Sequence, residues 1–219
     1  MIDWSGYITL ILQGAFVTLE LTIMASILAV IMAFVAGLSR VSKYFPIRAL
    51  ATAYIEFFRG TSVFVQLFWA YFVLPFAGIE LTPLQAGVSA LGLNAGAYGA
   101  EVVRGAIKAI GRDQREACVA LNLSRSQAMR HVIIPQAIPL ILPTFGNLAI
   151  ELLKGTAVVS LISLSDLTFQ AQVVRAQTGS TLVPFGTILL IYFLMALAIS
   201  YGMRWIEGRA TRGLDGMRT

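Results

Sequence analysis

Apolar residues run along this chain in long blocks rather than in alternation. Uncharged runs occupy 21–39, 60–79, 81–100, 132–150 and 176–203. Each is close to or above the ~20 residues that a helix needs to cross a bilayer. Backbone groups at membrane depth must find partners within the protein, so runs of this length predict helices rather than strands. The fold class that follows is all-α, a polytopic membrane protein with five transmembrane helices and one domain over 1–219. Residues 5–20 predict a turn or an amphipathic start to the first span, with Glu20 its polar exception. Residues 163–184 predict an external connection carrying a short interfacial helix at 167–174.

Two patterns refine the spans. Ala25, Ala29, Ala33 and Gly37 recur every fourth residue, and Gly92, Gly96 and Gly99 do so nearly as regularly, which gives small faces that let helices approach closely. Pro135, Pro139 and Pro143 each remove a backbone donor from one side of a helix, and predict either a kinked, partly unwound entry to the fourth span or a proline-rich entry to an otherwise ordinary helix.

One segment breaks the apolar pattern. Residues 112–135, RDQREACVALNLSRSQAMRHVIIP, form a polar, basic stretch between apolar blocks. Asp113 followed by Glu116, and Ser124 followed by Gln127, have the spacing of helix N-terminal capping pairs. Between them Asn122 tolerates the left-handed backbone that ends a helix. A helical hairpin follows, one helix over about 114–121 and another from 125 to about 135. Such a hairpin, exposed to water, calls for a partner.

Composition agrees with a membrane setting. Of 219 residues 58% are hydrophobic and 12% charged, and the mean hydropathy is +0.79. Arg40, Lys43 and Arg48 follow the first span; Arg104, Lys108, Arg112, Arg115, Arg125 and Arg130 follow the third; Arg204, Arg209, Arg212 and Arg218 follow the fifth. Only Arg175 falls in the opposite connections. The positive-inside rule then puts the N-terminus outside and the hairpin and C-terminus in the cytoplasm. The net charge of +5 is explained by topology, without nucleic acid. The first residues, Met1 to Asp3, lack the basic region of a removable signal peptide. No phosphate-binding loop, zinc-ligand spacing around His131 or nucleophile motif is present, so the chain is not expected to be an enzyme or to hold a cofactor or metal.

The hairpin resembles the EAA loop of ATP-binding-cassette (ABC) importer permeases: Glu116-Ala117-Cys118, then Asn122 where the family has Gly, then Val132-Ile133-Ile134-Pro135. The resemblance extends over nearly the whole chain. Thr18 to Thr22, Glu56-Phe57-Phe58-Arg59-Gly60-Thr61, Val65-Gln66-Leu67, Tyr98 to Arg104, Pro135-Gln136-Ala137, and Asn147 with Lys154-Gly155-Thr156 are similar to the polar amino acid permease branch. Ser62 stands where that branch usually has Pro. Residues 154–185 resemble more narrowly the permeases of ectoine and hydroxyectoine importers. The resemblance implies a type I permease subunit of the bacterial inner membrane, moving a polar amino acid or compatible solute. Its implied partners are two cytoplasmic ABC ATPase subunits, a second permease subunit, identical or homologous, an extracytoplasmic solute-binding protein, a small zwitterionic solute and membrane lipid. Arg115, Glu116, Ala117, Cys118, Leu121, Asn122 and Ser124 would form the ATPase-coupling surface.

Polar groups within spans are functional candidates by default. Glu151 and Lys154, three apart, fit either mutual neutralisation or contact with a zwitterion. Glu56 with Arg59 and Glu101 with Arg104 repeat the spacing, with ion pairing favoured. Gln66, Asn147 and Ser160 complete the candidate solute pathway, and Asn94 and Ser163 add neutral groups. Two other readings are open. An ion-gradient-driven transporter or channel subunit conflicts with the odd span count and the lack of inverted repeats. A DNA-binding helix-turn-helix conflicts with spans at both ends of the hairpin.

Overall fold

The computed structural model describes residues 4–215, so Met1 to Asp3 and Arg218 lie outside the described residues. Every regular element there is helical. α1 is one uninterrupted helix, Trp4–Ser39, so of the turn or amphipathic start expected at 5–20 the turn is corrected. Within it the Thr22 hydroxyl donates to the Thr18 carbonyl, 2.7 Å.

The second apolar run, 60–79, does not form a span by itself: its helix starts only at Val63, and a separate helix precedes it. α2 (Phe45–Gly60) and α3 (Val63–Phe68), the latter continued by a π turn and a 3₁₀ turn to Ala77, meet at a bend of 104°. Pro46 opens α2 and Thr61–Ser62 is extended, so the chain turns an elbow. The free carbonyls at the elbow are met by side chains. The Gln66 amide donates to the Phe58 carbonyl (3.0 Å), the Thr61 carbonyl (3.2 Å) and the Thr61 hydroxyl (2.7 Å), while the Asn94 amide donates to the Phe58 carbonyl at 2.7 Å. At ~1.5 Å per residue the two arms leave the ends of the pair roughly 28 Å apart, near the ~30 Å hydrocarbon thickness.

α4 (Pro83–Ala109) starts at a reciprocal cap between Thr82 and Gln85 and packs along α1. The small faces meet as the sequence predicts. A Cβ on Gly92 would lie 3.0 Å from the Ala25 carbonyl, on Gly96 2.8 Å from Met32, on Gly99 2.7 Å from Ala33, and on Gly37 2.8 Å from the Ala100 carbonyl. Both sets of numbers rise together, so α1 and α4 run parallel. α5 (Arg112–Ala120) and α6 (Arg125–Ala128) form the hairpin, and a π turn at Met129–Ile133 leads into α7 (Ile134–Gly155). Phe145 lies by Gly99 and Leu91 by Gly155, which makes α7 antiparallel to α4. A 3₁₀ turn (Thr156–Ile162), α8 (Leu167–Thr178) and α9 (Leu182–Asp215) complete the chain. Gly146 meets Met203, and Ala157 shares a groove with Leu189, so α9 is antiparallel to α7.

Of the two readings of the prolines, the ordinary helix holds beyond Pro135. Pro139 and Pro143 sit inside a continuous α7, and the irregularity falls on the π turn just before Pro135, where a wider turn accommodates the missing donor. The second hairpin helix likewise does not end near 135. It continues as helix through Ile162. Among the described residues three helices are long and apolar enough to cross a membrane, and up to four if the bent pair is one span. α4 is not among them. Its buried face is largely Gly and Ala, residues chosen for close approach rather than for transfer into lipid.

Candidate docking hairpin and membrane-depth polar face

The hairpin turn is fixed by backbone geometry. Asn122 has φ 54°; its N–H donates to the Val119 carbonyl (2.9 Å), and the Leu123 N–H donates to the Cys118 carbonyl (2.9 Å). These two bonds are the Schellman motif, with Asn122 in the left-handed position. Ser124 and Gln127 cap α6 reciprocally. The expected cap at Asp113 is corrected: α5 begins at Arg112 with Gly111 as its N-cap and no side-chain cap bond. Asp113 instead places negative charge in the first turn, where the helix dipole favours it.

Most of the hairpin faces outward. Arg115, Glu116, Ala117, Leu121, Asn122 and Ser124 are exposed, and Val119 and Leu121 remain 76% and 73% accessible. Cys118 alone of the coupling candidates is buried. The Arg115 guanidinium donates to the Ile107 carbonyl, 2.9 Å, and the Gln136 amide donates to Gln114, 3.0 Å. The hairpin is thereby tied to the ends of both α4 and α7. It presents two exposed aliphatic side chains amid basic and acidic ones, a surface suited to a partner groove.

The membrane-depth residues divide. Gln66 is buried and commits its amide to the elbow. The Ser160 hydroxyl donates to the Ala157 carbonyl at 2.8 Å. Asn147, Glu151 and Lys154 are exposed on α7, and Glu151 and Lys154 form no ion pair, which corrects the pairing expected from their spacing. Lys154 instead lines a groove of about 570 Å³ shared with Tyr192 and Ser200 of α9. Glu56 and Arg59 form no ion pair either; the Arg59 guanidinium lies 5.3 Å from the Tyr98 ring centre. The Glu101–Arg104 pair does form, and Arg40 joins it at 3.4 Å while donating to the Thr52 hydroxyl at 2.6 Å.

Residues 25–212 match the family described as binding-protein-dependent transport system inner membrane component. The chain belongs to that family. The chain is 46% identical over 216 residues to a probable amino-acid ABC transporter permease protein of Sinorhizobium fredii, with 96% of this chain and 91% of the relative covered. It is 34% identical over 212 residues to the glutamine transport system permease protein of Escherichia coli, with 94% and 97% covered. Among solved structures it is similar to an amino acid ABC transporter crystallised with histidines, at 40% identity and TM-score 0.86, covering 95% of this chain and 99% of that one. An inward-facing methionine ABC transporter shares the fold, at 19% identity and TM-score 0.78, with 96% and 99% covered.

The chain also holds a polar cluster that sequence reading missed. Asp166 is fully buried and caps α8, accepting from the Phe169 N–H (2.9 Å) and the Thr168 N–H (3.1 Å). The Leu167 N–H donates to Thr18 on α1 at 3.0 Å, and Thr168 bonds the Tyr192 hydroxyl at 3.2 Å. Burial pushes the Asp166 carboxyl up to about 6. Asp before an apolar helix was a legible cap signal. The burial of that cap under α1 and α9 was not.

Proposed function

We propose that this chain is the membrane-spanning permease subunit of an ATP-driven ABC importer for a polar amino acid in a bacterial inner membrane. The hairpin is the coupling element: Arg115, Glu116, Ala117, Cys118, Leu121, Asn122 and Ser124 form or support the surface that a cytoplasmic ATPase grips. ATP is bound and hydrolysed by two such separate subunits. A second permease copy or homologue and a solute-binding protein complete the assembly. The observation that carries this reading is the exposed, Schellman-closed hairpin inserted between α4 and α7 in a chain of this family.

Five crossings, with the N-terminus outside and the hairpin and C-terminus in the cytoplasm, are supported by helix direction. Because α1 and α4 run parallel, the chain between them must return, and only the bent pair α2–α3 is available. The antiparallel α7 and α9 then complete an odd number of crossings. The solute pathway follows the exposed polar face of α7, Asn147, Glu151 and Lys154, with Gln66 and Ser160 shaping its walls. The names of the relatives support an amino acid as the solute. Ectoine or hydroxyectoine is the second reading, favoured by residues 154–185 alone.

Expression of the complete complex in proteoliposomes tests the reading. ATP-dependent uptake of a polar amino acid delivered by the binding protein is expected, and an ion gradient in place of ATP should give none. Uptake that persists without the ATPase would overturn it.

A further inference from the structure

α9 is longer than a span needs to be. From Leu182 to Ser200 no residue is charged, a length of ~28 Å at the helical rise and so close to the ~30 Å of hydrocarbon in a bilayer. The helix then continues to Asp215. Met203 against Gly146 and Leu189 beside Ala157 put that continuation at the hairpin end of α7.

The chemistry of one face of α9 changes where the uncharged stretch ends. At 100° per residue, Leu190, Leu194, Tyr201 and Trp205 fall within about 60° of one another, on the side opposite Met203 and therefore away from α7. They are 64%, 63%, 64% and 59% accessible, so a single exposed stripe passes from aliphatic to aromatic. Two arginines are stacked on its aromatic end. The Arg204 guanidinium lies 4.6 Å from the Tyr201 ring centre, and that of Arg209 lies 3.8 Å from the Trp205 ring centre. Both are exposed, and among the described residues neither forms an ion pair. Arg204 also donates from Nε to the Ser200 carbonyl at 3.3 Å. Glu207, half-buried, falls on the Met203 side of the helix and off this stripe.

Rings with an apolar body and a polar edge favour the boundary between hydrocarbon and water, and stacking on them holds a guanidinium there with N–H groups free to donate. Phosphate oxygens accept from such a fork. The stripe thus asks for acyl chain beside Leu190 and Leu194 and for an anion one or two turns further on. A phospholipid supplies both in that order, whereas a soluble ATPase has no reach to the two leucines within the hydrocarbon. We propose that Arg204 and Arg209 hold the headgroup of an anionic phospholipid, whose glycerol region meets Tyr201 and Trp205 and whose chains lie along Leu194 and Leu190. An anionic headgroup is selected over choline, whose ammonium is repelled by the same guanidinium groups. The site goes beyond the importer reading and needs only that α9 cross the bilayer. Because Met203 meets Gly146 at the same level, the lipid fixes the depth of α9 where it bears on α7.

The test uses the full-length chain carrying Trp4→Phe and Trp69→Phe, which leave Trp205 as its only tryptophan, in nanodiscs of phosphatidylcholine with a constant share of phosphatidylglycerol. Bromine on the upper acyl chain of one lipid or the other quenches a tryptophan that it touches. At equal mole fraction, phosphatidylglycerol should occupy the Trp205 contact about fivefold more readily than phosphatidylcholine, the gain from one cation at an anionic surface. Unlabelled phosphatidylglycerol should relieve that quenching, and inorganic phosphate at matched ionic strength should not. Arg204→Gln with Arg209→Gln should bring the preference to about one while phosphatidylcholine still quenches. Equal occupancy by the two lipids with both arginines present would overturn the site, as would a preference that survives in the inserted Gln pair. Relief by inorganic phosphate would replace it with a free-anion site. Quenching by neither lipid would mean that protein covers this face, and loss of ATPase co-purification in the Gln pair with the lipid preference intact would assign the arginines to the ATPase; each result overturns the lipid site. The competition arm needs no arginine substitution and decides the matter even where the Gln pair fails to insert.

Discussion

Two single residues carry separable consequences. Asn122 holds φ 54° at the hairpin turn, a conformation that Gly adopts freely and a β-branched residue resists. Asn122→Gly should leave ATPase co-purification and uptake unchanged. Asn122→Val should add strain of about 1 to 3 kcal/mol at the turn and weaken ATPase capture or uncouple hydrolysis from uptake; normal coupling in the Val variant would remove the hairpin's role. Asp166, in the connection that the proposed topology puts opposite the hairpin, carries the second. Its folded carboxyl titrates near 6, raised by burial from 3.8, so the folded state holds the proton more tightly. The stability it contributes is therefore full below about pH 4 and is lost as pH rises through about 6. Asp166→Asn keeps a capping side chain but should flatten that part of the pH dependence of thermal unfolding in detergent. Thr168→Ser, which keeps the carboxyl, should retain the wild-type slope. A slope in Asp166→Asn as steep as in wild type would refute the assignment to this carboxyl.

At the scale of elements, helix packing is set by glycines whose positions can be ranked. Gly99→Ala would push a methyl to 2.7 Å from the Ala33 side chain and should cost about 1 to 3 kcal/mol. Gly105→Ala meets nothing within 4 Å and should instead gain up to ~1 kcal/mol from helix propensity. Thermal melts of the two purified variants check the contrast, and equal melting temperatures would refute the seam. This seam was legible, because a four-residue repeat of small side chains has one geometric meaning on a helix. The elbow was not. Gln66 looked like a pathway group because a buried amide in an apolar run signals a polar task, but periodicity does not say whether the task is a solute or a broken backbone. Glu151 and Lys154 failed for a related reason. Spacing of three permits an ion pair, as at Glu101 and Arg104, but does not say when a neighbouring helix draws one partner away, as the α9 groove does Lys154.

For the whole molecule, the proposed orientation rests on charge placement, and it can be tested directly. Cys118 is buried and a poor reporter, so introduced cysteines are the better probes. Glu80→Cys, exposed just before α4, should react with an impermeant thiol reagent in cells with a permeable outer membrane. Val119→Cys should react only after lysis, and labelling of Val119→Cys in intact cells would invert the topology. The hairpin was the most legible part of the candidate site, since caps and turn residues act locally. Its attachment to the rest of the molecule was not, because continuity of a helix past three prolines depends on packing from α4 and α9. That continuity has a mechanical meaning. From Arg125 to Ile162 there is no loop in which a displacement of the hairpin could dissipate. The π turn at Met129–Ile133 is one residue inserted into that shaft, and one residue is worth about 100° of rotation. The azimuth at which the hairpin meets its partner, relative to the polar face of α7, is thus indexed by a single inserted residue, as the angle of a crank is set on its axle.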